Sequence, residues 1–535
     1  MSPRDGRPAQ RDPVLLALLA ASLLLNAYGI DWGLPSPHGW ALDEILPASV
    51  LDGMGRAFSG GWYDKYPPFH YYLLAALYWP VLRSHGLTSA GAVPPEVYHS
   101  LFLIGRGLSL AMALGTVLLV YLCGRELLDR RASLLAAAMV ALMVPFVFYG
   151  KLANLDVPYL FWWTLSLLFL LRSLKHHRRA DYVLFAVTAV LAVCTKDQAY
   201  GLYVLTVPLL LVARSRHLRA RSGAAGLRAV FGHDVLLAAG IGLALFAVVQ
   251  NLAWNREGVH AHFALITGPA SRDFQEFPND LAGHAALLGQ TWRHVRFTLG
   301  TPSFLVCLLG LGASFLPRRR DPLLLALLVP GVSYYVFFIA LVLYGYDRFT
   351  LPLGILLSFF GGRLLSQGLA LGGGTARLAA AAALTLLAYG LARGVSLDLL
   401  MVNDSRYAAE AWLREHAGPQ ALVGGVGPPE HLPRLDGLRW RVVGPRTDRL
   451  ARTRPDYLVI NADYGRRASE GTGEREIYDR LQREELGYAL ASEHQFRWPQ
   501  ILFNMNALRE SPEPSVLSNI GKVNPRVRVY RRRTP

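Results

Sequence analysis

Residues 15–25 read LLALLAASLLL. The stretch carries no charge and no alternation of polar with apolar positions. It therefore reads as membrane helix; a barrel strand would alternate its two faces. Runs of this kind recur along the chain and reach the ~20 residues that cross ~30 Å of hydrocarbon at about 1.5 Å per residue. Composition agrees: 53% of the 535 residues are hydrophobic, 17% are charged and the mean hydropathy is positive. A soluble chain of this size carries more charge. The expected fold is an all-α polytopic membrane bundle of about eleven transmembrane helices, followed by a small C-terminal extracytoplasmic α/β domain.

Spans are expected near 13–30, 102–122, 133–150, 157–172, 181–195, 200–213, 231–250, 298–316, 321–343, 350–366 and 377–395. The net charge of +16 gathers in short loops: Arg125 to Arg131, Lys175 to Arg179, Arg214 to Arg228, and Arg318 to Arg320. Basic short loops stay in the cytoplasm, so the charge reports topology and no nucleic-acid partner is expected. A tail over residues 1–12, with Arg4, Arg7 and Arg11, is read as cytoplasmic and uncleaved. Residues 67–83, PPFHYYLLAALYWPVLR, are apolar over only ~14 residues, the range of an interfacial helix. Counting them as a span would turn every later basic loop outward, so they are assigned to the outer face. That makes 31–101 one long external loop inside a membrane domain of residues 13–395. Cys123, Cys194 and Cys307 lie in apolar stretches without paired spacing and read as packing residues.

Beyond residue 396 the composition changes, and residues 396–535 read as the extracytoplasmic domain. NDSRYAAEAWLREH is an amphipathic helix with an Asn or Asp cap. ALVGGVG and PDYLVINA read as buried strands, and RVRVY as a last, edge-type strand. GGVGPPE lacks the GxGxxG spacing and gives a nucleotide-binding reading little support.

The chemistry-bearing residues fall at the outer ends of spans. The first loop supplies Asp43 and Glu44 in HGWALDEILPASV, then Tyr63, Asp64, Lys65 and Tyr66. Arg106 is placed at the outer start of the second span. The turn YGKLANLDVPYLFW adds Lys151, Asn154 and Asp156; TKDQAYG adds Lys196 and Asp197; YGYDRFTLP adds Tyr344, Tyr346, Asp347 and Arg348. Acids and bases at one membrane depth predict a shared polar cavity. Lys, Arg and Tyr there suit a lipid-linked phosphodiester and its charge on leaving. A carboxylate, Asp43 first, suits deprotonation of an incoming hydroxyl or amine. Direct displacement inverts the anomeric centre, whereas a double displacement needs a second carboxylate such as Glu44 or Asp156 close by.

Plainer roles compete. Arg106 and Lys196 could snorkel to the interface, Asp347 and Arg348 could pair locally, and Asp156 could cap the helix that opens at Val157. Asp64 reads as a solvated loop carboxylate, and His38 and His70 as polar contacts or site-lining groups.

The ordered set DE (43–44), KYPPFHYYLLA (65–75), IGRGLSLAMALGTVLLVYLCGREL (104–127), YGKLANLDVPYLFW (149–162), TKD (195–197) and YDRFTLP (346–352) resembles the GT-C glycosyltransferases. The branch is that of the protein O-mannosyltransferases and the aminoarabinose transferases of lipid A, and the likeness covers residues 13–366. The resemblance implies a helical membrane bundle with an external active site and a polyprenyl- or dolichyl-phosphate sugar donor. It implies Asp43 as catalytic base with Glu44 beside it, Asp156 as the acid of the second external loop, and Lys65 and Arg106 at the lipid phosphate, with Arg348 a looser match. Asn154-Leu155-Asp156 offers one carboxylate where the family pattern has two. A divalent metal stays open but is weakened, since such an ion prefers several anionic oxygens. The 251–297 loop is too short for an added β-trefoil, so a protein acceptor is in doubt and a lipid or glycan remains equally open. The expectation is a glycosyltransferase of the inner or plasma membrane working on the non-cytoplasmic side. The alternative is a transporter or lipid-binding membrane protein, which would place its ionisable groups nearer mid-bilayer.

Overall fold

Apolar segments that leave water must satisfy every N–H and C=O internally, and helices do so within one segment. The computed structural model describes residues 12–533 except 63, 90, 223–229, 269–271, 445–446, 468–470, 499–501, 504 and 509–515. Arg4, Arg7, Arg11, Tyr63 and Arg228 lie outside the described residues. Helices follow in the order α1 (Pro13–Ala27), α2 (Pro47–Gly55), α3 (Phe69–Ser84), α4 (Pro95–Leu127), α5 (Arg130–Ala141), α6 (Val144–Gly150), α7 (Asp156–His176), α8 (Arg179–Thr195), α9 (Thr206–Ser222), α10 (His233–Val249), α11 (Arg256–Thr267), α12 (Leu281–Leu299) and α13 (Thr301–Ser314). They continue as α14 (Pro322–Val342), α15 (Leu351–Ala370), α16 (Gly373–Val402) and α17 (Ser405–His416).

Among the described residues, five helical runs are long and apolar enough to cross a bilayer singly: α4, α7, α14, Asp347–Ala370 and Gly373–His416. Two bent pairs raise the count to seven, α5 with α6 across 65° and α12 with α13 across 113°. The chain is a multi-pass membrane protein, but these runs are fewer than the spans expected from its sequence. The difference has local causes. Helices α8 and α10 each stop at 17 residues. The run expected over 298–316 is cut at Gly300, whose φ of 74° turns the chain. The segment read as interfacial is the 16-residue helix α3, with Tyr71, Leu74 and Tyr78 buried and Trp79 exposed.

The chain divides into two compact units, Met1–Tyr28 with Pro47–Ala92 and Ile104–Gly394, and Gly29–Leu46 with Val93–Leu103 and Val395–Pro535. In the first, α15 packs on α5 and α13 through glycines. A Cβ on Gly362 would come within 2.4 Å of the Ala132 carbonyl, and one on Gly310 within 2.2 Å of the Phe360 carbonyl. Backbones approach this closely only where side chains are missing. Cys123, Cys194 and Cys307 are free and buried.

Among the described residues the second unit holds a five-stranded sheet of order β2-β1-β3-β5-β4, with β1 (Val423–Val426), β2 (Trp440–Val442), β3 (Tyr457–Asn461), β4 (Tyr488–His494) and β5 (Val527–Arg532). Strand β1 runs parallel to β2 and β3; β5 runs antiparallel to β3 and β4. RVRVY, expected at an edge, is therefore internal. Its outer neighbour β4, YALASEH, is too polar to announce itself as a buried strand. Alternate residues feed two cores. Val459, Val527 and Val529 pack with Ala409 and Leu413 of α17, while Leu458, Ile460 and Tyr530 pack with Ile477 and Leu481 of the helix Gly473–Gln482. The glycines of GGVGPPE serve packing: a Cβ on Gly424 would lie 2.7 Å from Pro455 and Val443, and one on Gly425 2.6 Å from Leu432.

The start of the first loop is stitched into this second unit. The indole N–H of Trp32 donates to Asp404 at 3.1 Å, and that of Trp40 to the Leu432 carbonyl at 2.9 Å. The Gly33 N–H donates to the Tyr407 hydroxyl at 2.9 Å. Arg406 lies over the Trp40 ring, 4.2 Å from its centroid.

Candidate functional site

Helix α7 opens at Asp156, whose N–H donates to the Asn154 side-chain oxygen at 3.0 Å. The cap position itself is Leu155 and Asp156 is the first helical residue, so the Asp156 carboxylate does not serve as the cap. Asp156 is 1% exposed. One of its oxygens accepts from the Lys196 ammonium at 2.6 Å. The other accepts from the Asn154 amide at 3.3 Å and lies 3.8 Å from Arg348 Nε.

Each partner is delivered by a distinct piece of backbone. Lys196 is the residue on which α8 ends, in extended conformation, so the chain turns there into the helical turn Asp197–Leu202. Its ammonium is 5.8 Å from the Tyr66 ring centre and 6.0 Å from that of Tyr159. Arg348 stands in the turn Asp347–Thr350 and lies 4.1 Å from the Tyr346 ring centre. Buried Asp347 fixes that turn, accepting from the Tyr149 hydroxyl at 3.2 Å and from the Arg348 N–H at 2.6 Å. Thr350 donates to the Asp347 carbonyl at 2.8 Å. Lys65 is exposed, 5.0 Å from the Tyr66 ring centre. Within the helical unit the structure therefore gathers Asn154, Asp156, Lys196, Tyr346 and Arg348, with the Tyr66 ring near Lys196 and Lys65 near that ring.

Lys151 is elsewhere. Its buried ammonium donates to the carbonyls of Leu25 at 2.9 Å and Tyr28 at 3.0 Å, closing the C-terminal end of α1. Arg106 is fully buried and stands well inside α4, which begins at Pro95, so it is not at the start of a helix. Arg348, expected to pair locally with Asp347, donates its backbone N–H to that carboxylate and also brings its guanidinium to Asp156. His70 is buried at the start of α3, with neither ring nitrogen hydrogen-bonded; burial pushes it down to about 3, so it is neutral.

Asp43 and Glu44 belong to the second unit. Asp43 has φ 63°, a left-handed conformation that Asp adopts more readily than most residues. Its carboxylate accepts from the Asn519 amide at 3.5 Å, and Lys522 donates to the Asn519 side-chain oxygen at 2.9 Å. Glu44 is buried, 9% exposed.

Asp64 is not solvated as expected. It packs by Tyr71, and burial pushes its carboxyl above the usual range against the Tyr71 hydrogen bond and the Lys65 charge. Beside it lies His262 of α11, whose Nε2 is 3.2 Å from Asp197 Oδ1. The sequence reading did not single out His262. A histidine in a helix between spans has no motif around it, and only the clustering of His260 and His262 in an otherwise ordinary loop hints at it.

Among the described residues no three of His, Cys, Asp and Glu gather as a metal cluster. Both oxygens of Asp156 face donors or cations, a surrounding that repels a divalent ion. The residues at that acid do not fit a metal.

Residues 103–254 match the family model described as dolichyl-phosphate-mannose-protein mannosyltransferase. No curated protein matches the chain. Among solved structures it is similar to ArnT from Cupriavidus metallidurans in the apo state, at 15% identity over 84% of this chain and 93% of that one, TM-score 0.48. The same enzyme bound to undecaprenyl phosphate matches at 13% identity over 97% and 98%, TM-score 0.48. The oligosaccharyltransferase AglB from Archaeoglobus fulgidus, in complex with an inhibitory peptide and a dolichol-phosphate, matches at 15% identity over 84% and 69%, TM-score 0.44. Over residues 103–254, less than a third of the chain, the family match agrees with the mannosyltransferase part of the resemblance that the ordered motifs carry.

Proposed function

We propose that this protein transfers a sugar from a polyprenyl- or dolichyl-phosphate donor to an acceptor on the non-cytoplasmic face of the inner or plasma membrane. The observation that carries the reading is the convergence of Lys196 and Arg348 on the one buried carboxylate of Asp156. The three residues come from separate turns, with the Tyr66 ring near Lys196 and Lys65 near that ring. The family match adds support: it spans Asp156 and Lys196, and its description names a dolichyl-phosphate sugar.

In this reading Asp156 aims two cations before the donor arrives. A phosphodiester at headgroup level then meets preorganised charge, which binds more strongly as negative charge builds on the leaving phosphate. Asp43 is the base that takes the proton of the acceptor hydroxyl or amine, and Glu44 and Arg106 support binding. Sugar–phosphate bond cleavage and acceptor–sugar bond formation occur together, with inversion, and the lipid phosphate departs. Lys151 serves the fold by holding α1. Residues 396–535 form an extracytoplasmic domain with the first part of the loop 31–101.

Purified full-length protein, given radiolabelled polyprenyl-phosphate sugars and a panel of lipid, glycan and peptide acceptors, tests the proposal. Transfer that needs Lys196 and Arg348 supports it. Intact protein that binds the donor yet releases no lipid phosphate with any acceptor supports the transporter or lipid-binding alternative instead.

A further inference from the structure

Asp43, the acid read as the base, is met by a side chain from near the other end of the chain. It stands half-buried in a turn, in left-handed backbone with φ 63°. Its Oδ2 accepts from the Asn519 side-chain amide at 3.5 Å, across 476 positions of sequence. The Asn519 side-chain oxygen in turn accepts from the Lys522 ammonium at 2.9 Å. Asn519 is 3% exposed.

The two arms that meet here are anchored on one carboxylate. Asp404 accepts from the Trp32 indole, in the stretch leading to Asp43, at 3.1 Å, and from the Asn524 N–H, just past Lys522, at 2.8 Å. Trp40 fastens the first arm again through the Leu432 carbonyl at 2.9 Å. Asn524 fastens the second. Its side-chain oxygen accepts from the N–H groups of Ser405 at 3.1 Å and Phe496 at 3.0 Å, and its amide donates to the Phe496 carbonyl at 2.7 Å. The helical turn Asn519–Lys522 is capped by Ser518, whose hydroxyl accepts from the Ile520 N–H at 3.1 Å, and Ser518 and Ile520 are both buried. A side chain on backbone held this firmly can aim at a neighbour at little further cost in entropy.

The Asn519 amide has one orientation that satisfies both neighbours. An ammonium only donates, so it requires the amide oxygen; an ionised carboxylate only accepts, so it requires the amide nitrogen. Lys522 therefore sets the sense in which Asn519 offers an N–H to Asp43. At 3.5 Å the contact is longer than a firm bond of about 2.7–3.2 Å, as catalytic contacts often are before substrate is bound.

We propose that Asn519, turned by Lys522, is a positioning residue that aims the Asp43 carboxylate at the acceptor, so that residues 518–524 belong to the transfer machinery. The inference rests on Asp43 being the base. An amide donor fixes the carboxylate rotamer without placing a charge of its own against it, which leaves Asp43 basic enough to take the acceptor's proton. Without that donor the carboxylate spreads over its rotamers and meets the acceptor in fewer productive geometries.

Steady-state kinetics of purified full-length variants test this, with radiolabelled polyprenyl-phosphate sugar as donor. Asn519→Asp keeps the size and an oxygen for Lys522, so the fold should hold, but it removes the N–H and sets a second carboxylate against Asp43. Two carboxylates that close hinder each other's ionisation, and kcat should fall about a hundredfold with donor KM unchanged. Asn519→Leu, of similar size, should lower kcat roughly tenfold. Lys522→Met, which frees the amide to rotate, should lower it severalfold, and adding it to Asn519→Leu should cost nothing further. A merely structural Asn519 would lower the melting temperature and leave kcat per folded molecule at the parent value. That outcome, or effects of Lys522→Met and Asn519→Leu that multiply, overturns the proposal. Asp43→Asn, run beside them, separates the two levels. If it keeps parent turnover, the base reading fails and the inference falls with it; if it is inactive while the Asn519 variants are fully active, Asn519 is removed and the base stands. A crystal structure of Asn519→Leu needs no acceptor: the Asp43 carboxylate should turn from its present rotamer or spread over several, and an unmoved carboxylate overturns the proposal.

Discussion

Two buried acid–base clusters, one in each unit, differ in how they are assembled. Asp404 and Arg406 are two residues apart and pair at 2.8 Å. Asp404 also accepts from the Trp32 indole at 3.1 Å and the Asn524 N–H at 2.8 Å, and Arg406 donates to the Glu430 carbonyl at 3.0 Å. One acid meets one base, and the surrounding donors and acceptors belong to the protein. Such a pair fixes the entry of a helix and the loop that crosses it. Asp156, by contrast, meets two cations, from α8 and from the Asp347–Thr350 turn. Bringing distant segments together costs loop-closure entropy, and a neutral core would hold them at less desolvation cost. The comparison separates a matched local pair, which fixes a helix and the loop that crosses it, from cations drawn out of remote turns onto one acid, the arrangement on which the proposed anion site rests.

That contrast can be broken most sharply through activity. Asp43→Asn should keep the protein folded and inserted yet lower transfer about a hundredfold to ten-thousandfold, the usual loss with a general base. Asp156→Asn should be comparably damaging but by another route, raising donor KM as well as lowering kcat, because Lys196 and Arg348 lose their aim. Wild-type donor kinetics in Asp156→Asn, in protein shown to be intact, would reduce the cluster to scaffold and erase the distinction.

Arg406→Ala should do the reverse. Leaving Asp404 buried without its partner costs about 3–5 kcal/mol. The sheet-bearing unit should melt earlier by calorimetry or tryptophan fluorescence, while donor binding per folded molecule stays unchanged. Weakened donor binding in the folded fraction would show that the two clusters are not separable.

The smallest effect is expected from Lys151→Met, which keeps the buried stem and removes the ammonium. Two carbonyls at the end of α1 lose their donor, a cost of about 1–3 kcal/mol. Thermal stability in detergent should fall modestly with kcat and donor KM intact. A large kcat defect without a stability change would return Lys151 to the active site.

The residues of interest were legible in the sequence one turn at a time: Lys65, Asn154, Asp156, Lys196 and Arg348 each stand out as polar groups at the end of an apolar run. Their roles were less so. Lys151 and Lys196 look alike in sequence, yet one closes α1 and the other pairs with Asp156, because a long flexible side chain takes whichever acceptor the fold brings near. Arg106 looked like a span start because hydropathy marks where lipid-like sequence begins, while α4 starts earlier, at Pro95. His262 was hidden altogether, since its partners are remote in the chain.

Apolar length and basic loops, read from sequence alone, determined that this protein is a multi-pass helical membrane protein, because transfer of a whole segment out of water depends on composition and not on neighbours. The ordered motifs likewise carried the family resemblance. Only tertiary structure decided which cations share Asp156, that β5 lies inside its sheet, and that the stretch holding Asp43 and Glu44 belongs with the C-terminal unit. Those outcomes depend on pairings between distant segments, whose energies arise when the segments meet and are written in none of them singly.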